Sequence, residues 1–324
     1  MNENGQMIGY YASHEQFRPR DLLAFTLAAE AAGFRSVLSS DHFHPWSETQ
    51  GESGFAWSWL GAAMHATTIS FGIITAPGYR YHPAVLAQGA ATLADMFPGR
   101  FWMGIGSGEV LNEGIIGERW PNRSERNERL LQCAGVMRDL WAGARVTFDG
   151  HIRVDRAHLY TRPPEPPLLF AAANACSTVE WVAGWADGLI TLAKQVCELK
   201  ESIELFRKGG GEGKRIYLKL DIAYARTEEE ALRGAWEQWR NLVFGGGLIT
   251  EIRSPAEFDA MGEHVDREEL RQHIRVSSDL SLHTEWLQTF LDLGVDKIYL
   301  HNVTDDQSTF IEDFGREVLP ALVG

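Results

Sequence analysis

The side chains best suited to catalysis come directly after short apolar runs that predict strands. Asp41, His42 and Trp46 supply a carboxylate, an imidazole and an indole within one short segment. Histidine titrates near neutral pH, so His42 can accept and return a proton during a reaction. Capping and packing are the alternative role for this segment, and for His44 we expect a structural role. The segment predicts a general base at a strand end.

Glu109 follows a second strand candidate, at the end of the glycine-rich run GIGSGE. Small residues such as Gly108 let a planar ring or a phosphate approach the backbone closely. A glutamate buried beside a heterocycle has a raised pKa and can donate a proton. The alternative is a carboxylate that stabilises a helix N-terminus. Because these glycines follow the fourth predicted strand, a Rossmann NAD site is not expected.

His42 and His44 also form an H-x-H pair, which suggests metal ligands. A hydrolytic metal site in a barrel needs further His and Asp ligands at the ends of later strands. The later strand ends offer a poor ligand set: Glu109, Asn174, Lys194 and His301. We therefore expect no metal site. A metal-dependent hydrolase that uses His42 and His44 is the less favoured alternative.

Composition excludes several classes of protein. The chain has 324 residues, 44% hydrophobic and 23% charged, and no apolar run approaches the ~20 residues of a membrane helix. The net charge of -14 disfavours nucleic acid and anionic membranes as partners. Three distant cysteines exclude a disulfide framework. The polar start MNENGQM lacks the features of a signal peptide, so we expect a cytosolic protein.

Helices, glycines and short apolar runs alternate along the chain. Segments such as AEAAGF-RSVLSS join a helix, a glycine that ends it and a buried strand. Eight strands are predicted: Met7–Ser13, Ser36–Ser40, Ser70–Thr75, Arg100–Gly106, Leu168–Ala173, Leu189–Leu192, Ile216–Tyr224 and Lys297–His301. Helices are predicted between them, for example Arg20–Ala32, Ala84–Phe97, Arg126–Trp141, Cys176–Trp185 and Thr309–Leu322.

Eight βα units in one chain predict an α/β fold, a (β/α)8 TIM barrel, as a single domain over residues 1–324. An open doubly wound sheet would need a glycine-rich turn after the first strand, and the sequence has none there. Four segments are longer than the connections require: His42–Trp57, Glu109–Pro121, Arg145–Tyr160 and Gly245–His283. The third alternates and predicts a hairpin. Long loops without structure of their own predict lids or binding loops, and Gly245–His283 is the longest.

The residues at these positions resemble the bacterial luciferase-like superfamily, and within it the branch of F420-dependent glucose-6-phosphate dehydrogenases. The matching stretches include GYYASHEQFRPRDL, EAAGFRSVLSSDHFHPW and TAPGYRYHPAVLAQGAATLADMFPGRFWMGIGSGEVLNE. They cover most of residues 8–143, and the similarity is weaker beyond residue 145. The resemblance implies a (β/α)8 barrel that binds a deazaflavin or flavin at its strand ends.

The resemblance also implies roles for individual residues. His42 corresponds to the active-site base, Trp46 to a tryptophan over the ring and substrate, and Glu109 to the proton donor for the ring. Glu15 corresponds to a glutamate near the substrate. Cofactor contacts are implied for Asp41, Ala76, Gly108, Asn112, Ala173 and Asn174, and substrate contacts for Thr191, Lys194 and Arg275.

The chain departs from that branch at several places. Ala173-Asn174 stands where the branch has two glycines, and Ala76 where it has a threonine. One lysine of the sugar-phosphate site has no clear counterpart, and His273 occupies the arginine position with Arg275 nearby. The chain is at least as similar to a related group that has the DHFHPW segment and FMN in place of F420. Either F420 or FMN is therefore expected as the cofactor.

These observations predict an oxidoreductase that moves a hydride between F420 or FMN and a small oxygenated organic substrate. An FMN-dependent monooxygenase or flavin reductase is an alternative, because reduced FMN also reacts with oxygen. A flavin-binding subunit without turnover is less expected, since the acid, base and aromatic positions are all filled. We expect a small-molecule substrate and, from the resemblance, a homodimer, with no nucleic acid or membrane partner.

Overall fold

Eight parallel strands close into a barrel in the computed structural model, which describes residues 8–244 and 246–322. The strands are β1 (Ile8–Ala12), β2 (Ser36–Ser39), β3 (Ser70–Thr75), β4 (Phe101–Ile105), β5 (Leu168–Ala172), β6 (Gly188–Leu192), β7 (Arg215–Ala223) and β8 (Lys297–Asn302). Each pairs with the next in sequence, and β8 pairs with β1, which closes the sheet. The predicted TIM barrel is confirmed. Met7, the predicted start of the first strand, lies outside the described residues.

Helices follow the strands and surround the barrel. They are α1 (Pro19–Ala32), α2 (Ala56–Ala66), α3 (Pro83–Met96), α4 (Val110–Glu113), α5 (Arg123–Trp141), α6 (Cys176–Val182), α7 (Val196–Phe206), α8 (Glu228–Trp239), α9 (Gly246–Ile249), α10 (Pro255–Gly262), α11 (Leu280–Leu291), α12 (Gln307–Asp313) and α13 (Leu319–Ala321). A proline in the first turn opens α1, and Gly33 ends it with φ of 110°. No helix in the described ranges is long and apolar enough to cross a membrane.

Aromatic side chains fill the amino-terminal half of the barrel. Trp102, Phe170, Tyr217 and Tyr299 come from the early residues of four strands and are all buried. The rings of Phe170 and Tyr217 stack with centroids 4.5 Å apart, and Trp102 lies 4.8 Å from Phe170. Gly72 faces Trp102 across the sheet, where a side chain would overlap the indole. This layer closes the barrel from below, so any ligand must enter at the carboxyl ends of the strands.

Three of the long segments have a structure of their own, and the one over Glu109–Pro121 holds α4. The strands Val146–Asp149 and Arg153–Ala157 pair antiparallel, which confirms the predicted hairpin. The expectation of an unstructured loop over Gly245–His283 was wrong, although Gly245 itself lies outside the described residues. That segment holds α9, α10, a short strand and the start of α11. Phe258 and Leu270 are fully buried within it, so its pieces are held by apolar contacts.

Candidate active site

A cavity of about 1130 Å³ opens at the carboxyl ends of the barrel strands. It is lined by the loops after β2 to β5, by side chains of β6 and β7, and by the segment around α9 and α10. The residues expected there that do line it are Asp41, His42, Trp46, Ala76, Gly108, Glu109, Asn112, Ala173, Asn174 and Thr191. Glu15, Lys194 and Arg275 are not among the lining residues.

His42 is held by a buried carboxylate. Its Nδ1 lies 2.6 Å from Oε1 of Glu15, whose side chain is only 1% exposed. The hydroxyls of Ser13 and Ser40 donate to the other carboxylate oxygen, at 2.8 Å each. Burial alone would lower the pKa of His42, but the Glu15 carboxylate raises it above the ordinary value. Because Nδ1 is engaged, Nε2 is the ring nitrogen left for a reacting group.

Glu15, expected near the substrate, lies behind His42 and does not line the cavity itself. Burial alone would raise the pKa of its carboxyl, but His42 and the hydrogen bond from Ser40 hold that pKa well below its ordinary range. The side chain therefore stays negatively charged. It acts through His42, by fixing the orientation of the ring and stabilising its protonated form.

Asn112 fixes the loop that carries His42 and Trp46. Its Oδ1 accepts hydrogen bonds from two consecutive backbone N–H groups of that loop, at 2.9 and 3.1 Å. His44 contacts the carbonyl oxygen of Leu111 through Nδ1, at 2.8 Å, which fits the structural role expected for it. The Trp46 indole then lies edge-on to the His42 ring, with centroids 5.0 Å apart. Asn112 thus positions the base and also lines the cavity.

Glu109 lies at the N-terminal cap position of α4, but its side chain makes no capping hydrogen bond there. Removal from bulk water raises the pKa of its carboxyl, more than the nearby His42 lowers it. Gly108 precedes it with φ of +79°, and a Cβ there would lie 2.9 Å from the Glu113 side chain and 3.3 Å from Ala76. The site therefore places a carboxyl group with a raised pKa next to the small residues Gly108 and Ala76.

Asp41 is surrounded by donors of the protein. Thr75 and Tyr81 donate their hydroxyls to its two oxygens at 2.7 and 3.0 Å, and Arg80 Nη1 lies 3.5 Å away. Arg80 also pairs with Glu113 at 3.0 Å. Burial raises the pKa of Glu113 to about 7 against the opposing effect of Arg80. Arg80 and Glu113 were not predicted, since neither directly follows a strand.

The walls after β3 and β5 are built from small residues. Ala76 and Ala173 line the cavity and are nearly buried. Asn174 turns its side chain toward β6, where Oδ1 accepts from the Thr191 hydroxyl at 3.2 Å and the backbone N–H of Leu192 at 3.0 Å. Asn174 therefore ties two strand ends together and leaves the wall flat.

Lys194 and Arg275 are directed elsewhere. The Lys194 ammonium donates to the backbone carbonyl of Asn174 and to the hydroxyl of Ser202. Arg275 lies in a separate depression of about 340 Å³, with its guanidinium 4.6 Å from the centre of the Phe290 ring. The short strand Arg275–Val276 adds to the end of β7 and carries this side chain away from the main cavity. The expected substrate contacts of both residues are not supported.

The structure adds charged residues that the sequence analysis missed. Lys219 and Asp221 line the cavity from inside β7. Their signal is the alternation of charged residues within an otherwise apolar strand, because such residues are rarely buried without a partner. The rim of the cavity is lined by three arginines: Arg119 and Arg123 are exposed, and Arg126 is buried.

No group of three or more His, Cys, Asp or Glu side chains in the described ranges is arranged to hold a metal ion. His42 contacts Glu15, and His44 contacts a backbone carbonyl. The H-x-H pair is therefore engaged by the protein through both residues. The metal-dependent hydrolase alternative is not supported.

The fold and the site define a TIM-barrel enzyme whose cavity is lined by a histidine paired with a carboxylate and by a carboxyl group with a raised pKa, and is large enough for a cofactor. The family model described as luciferase-like monooxygenase matches residues 1–297, and the chain belongs to that family. The expected resemblance is confirmed.

Similar proteins share almost the whole chain. It is 35% identical to an F420-dependent glucose-6-phosphate dehydrogenase of Beutenbergia cavernae, over 97% of each chain. It is also 35% identical to the F420-dependent hydroxymycolic acid dehydrogenase of Mycobacterium tuberculosis, over 97% of this chain and 88% of that one. A solved F420-dependent secondary alcohol dehydrogenase, in complex with an F420-acetone adduct, superimposes with a TM-score of 0.91 at 30% identity, covering 98% of this chain and 99% of that one.

Proposed function

We propose that this protein is an F420-dependent oxidoreductase that transfers a hydride between the deazaflavin and a small oxygenated organic substrate. The observation that carries the proposal is that two groups suited to proton transfer line the same cavity. His42 is paired with the Glu15 carboxylate, and the pKa of the Glu109 carboxyl is raised. The relatives at 35% identity and the solved structure at 30% identity are all named for F420. Their names support F420 over FMN.

The cavity fits a planar ring with an anionic tail. Gly108 and Ala76 line the cavity and carry no side chain or only a methyl group, so a planar ring can approach the backbone there. The three rim arginines suit phosphate and carboxylate groups, which the tail of F420 carries. Arg126 is held there by Glu251 at 3.0 Å and by the ring of Trp120, whose centre lies 4.9 Å from the guanidinium carbon. We propose that the ring lies against the small residues and the tail at the rim.

The protein contributes proton handling, orientation and exclusion of water. F420, when bound, supplies a carbon that accepts or releases a hydride. In the direction of alcohol oxidation, His42 takes the hydroxyl proton while the substrate carbon loses the hydride. Glu15 stabilises the imidazolium that results. Glu109 holds the proton that the cofactor takes up together with the hydride, and Trp46 covers the reacting groups.

The proposal is tested by titrating the purified protein with F420 and, separately, with FMN, while following tryptophan fluorescence. Saturable binding of F420, with a lower Kd than that of FMN, supports the proposal. The protein with bound F420 is then assayed with a panel of alcohols and ketones, and a loss or recovery of F420 absorbance reports the hydride transfer. Preference for FMN would assign the protein to the oxygen-using or flavin-reducing relatives. Binding of neither would refute a cofactor-dependent oxidoreductase.

Two finer predictions stay with this proposal. A homodimer is expected from the resemblance alone, and light scattering coupled to size exclusion measures it. A cytosolic location also stays a prediction, and fractionation of cells that express the protein tests it.

A further inference from the structure

A second buried ion pair lies in the inner part of the cavity. Lys219 and Asp221 are two residues apart on β7, so both side chains point to the same side of the sheet. The Lys219 ammonium donates to Oδ1 of Asp221, and each side chain is only 8% exposed. Both line the cavity that holds His42 and Glu109. The pair therefore shares one cavity with the residues of the proposed reaction.

The surroundings of the pair leave Asp221 as the group that balances Lys219. The ammonium lies 4.6 Å from the centre of the Tyr11 ring and 5.4 Å from that of Trp239. His301 contacts Oδ1 of Asp221 through Nδ1, at 2.7 Å. Burial and the charge of Lys219 lower the pKa of His301, so this histidine adds no charge near neutrality. The Lys219–Asp221 ion pair therefore has no net charge, and the aromatic rings of Tyr11 and Trp239 lie beside it.

The remaining ionisable groups of the inner cavity give the same balance. His42 is matched by Glu15, and Arg80 by Asp41 and Glu113, while Glu109 adds a further acidic group. Within the described residues, Lys194 and Arg275 do not line the cavity, and the arginines that do line it, Arg119, Arg123 and Arg126, belong to α5 and the segment before it. An anion placed among these carboxylates without a free cation would lose its hydration and gain no partner.

We infer that the inner cavity selects an uncharged alcohol or ketone, and that Asp221 is a specificity-determining residue because it neutralises Lys219. This inference rests on the proposed function. Trp239, Tyr11 and Phe258 would contact the apolar part of such a substrate, because all three line the cavity. The relatives named for glucose 6-phosphate act on a substrate with a phosphate group, so the substrate of this chain would differ in charge.

The test compares phosphate binding in the wild type and in Asp221→Asn, a nearly isosteric change that frees the Lys219 charge. Inorganic phosphate is titrated by calorimetry into F420-loaded protein and into cofactor-free protein. We expect Asp221→Asn to bind phosphate at least about tenfold more tightly than the wild type, since a nearby unpaired cation attracts it. The double variant Lys219→Met/Asp221→Asn should lose that gain. Asp187→Asn, which removes a carboxylate paired with Arg138 at the surface, is the matched control and should change nothing.

A second measurement needs no variant. With F420 as acceptor, the wild type should oxidise neutral secondary alcohols with a higher kcat/KM than glucose 6-phosphate. Unchanged phosphate affinity in a folded Asp221→Asn protein would overturn the inference, as would efficient oxidation of glucose 6-phosphate by the wild type. Failure to bind F420 would instead refute the proposed function, and the titrations of cofactor-free protein would still decide the role of Asp221.

Discussion

Glu15 and His42 come from the ends of two adjacent strands, and their side chains meet with 2.6 Å between Oε1 and Nδ1. The strands β1 and β2 run parallel and in register, with Tyr10 opposite Val37, so the residues that follow them meet at the same end of the barrel. The buried carboxylate orients the imidazole and raises its pKa at the same time. Topology alone therefore builds the base of the proposed reaction from two separate segments.

Replacing His42 with alanine should abolish most of the turnover. The proposed reaction would lose its general base, a contribution of about 10²–10⁴ in rate. Binding of F420 should stay close to that of the wild type, because the loop is anchored by Asn112 rather than by the His42 ring. Stopped-flow measurement of F420 reduction, together with a binding titration, separates the two effects. Full turnover in a variant that binds F420 would remove His42 from the mechanism.

Replacing Glu15 with glutamine should shift the pH dependence. The base works in its unprotonated form, so kcat/KM for alcohol oxidation rises as pH passes the pKa of His42, which lies above 6.5 in the wild type. The neutral amide removes the charge that raises this pKa, so the rising limb should move to lower pH, with a lower maximal rate.

Glu128→Gln is the matched control for that shift. Glu128 also pairs with a histidine, His151, at 3.1 Å, but Glu128 is exposed, His151 is half-buried, and neither lines the cavity. Its profile should coincide with that of the wild type. An unshifted limb in Glu15→Gln would mean that another group controls the pH dependence.

Strand-end positions explain why part of the site could be predicted from the sequence. His42 and Glu109 directly follow the apolar runs of β2 and β4, and in a barrel all such positions converge. The spacing of the apolar residues and the glycines that follow helices were sufficient to predict where the strands lie. Contacts that depend on the direction of a side chain could not be predicted from these patterns.

Arg275 and Lys219 illustrate that limit in opposite directions. The resemblance implied Arg275 at the substrate, but a short strand beside β7 places its side chain in another depression. Lys219 lies in an apolar run that predicts a buried strand, and its side chain lines the cavity. In both cases the local backbone geometry, set by tertiary contacts, decides where the charge lies.

Replacing Gly108 with alanine should weaken cofactor binding. Its φ of +79° strains any other residue, and a Cβ would press on the Glu113 side chain at 2.9 Å and on Ala76 at 3.3 Å. Gly108 and Glu113 both line the cavity, so a Glu113 side chain displaced by the new methyl group changes the wall of the proposed cofactor site. We expect the Kd for F420 to rise by about tenfold, which is a loss of about 1.4 kcal/mol in binding free energy. Gly99→Ala has a similar φ of +71° with no atom within 4 Å, so it carries the backbone strain alone. Equal F420 affinities in the two variants would exclude a role for the space at Gly108.

Replacing Gly72 with alanine should destabilise the barrel itself. Gly72 lies opposite Trp102 in the register of β3 and β4, and a Cβ there would overlap the buried indole. Trp102 has no free space to move into, because Phe170, Tyr217 and Tyr299 surround it. Overpacking of this kind lowers the free energy of unfolding by about 1–3 kcal/mol.

Gly61→Ala provides the comparison for that loss. Gly61 lies in α2, and a Cβ there meets no atom within 4 Å. Alanine favours a helix over glycine by up to about 1 kcal/mol, so this variant should be as stable as the wild type or more stable. Urea denaturation and thermal melts of both variants measure the difference. If Gly72→Ala proved as stable as Gly61→Ala, the aromatic layer around Trp102 would have to be loosely packed, which would contradict this prediction.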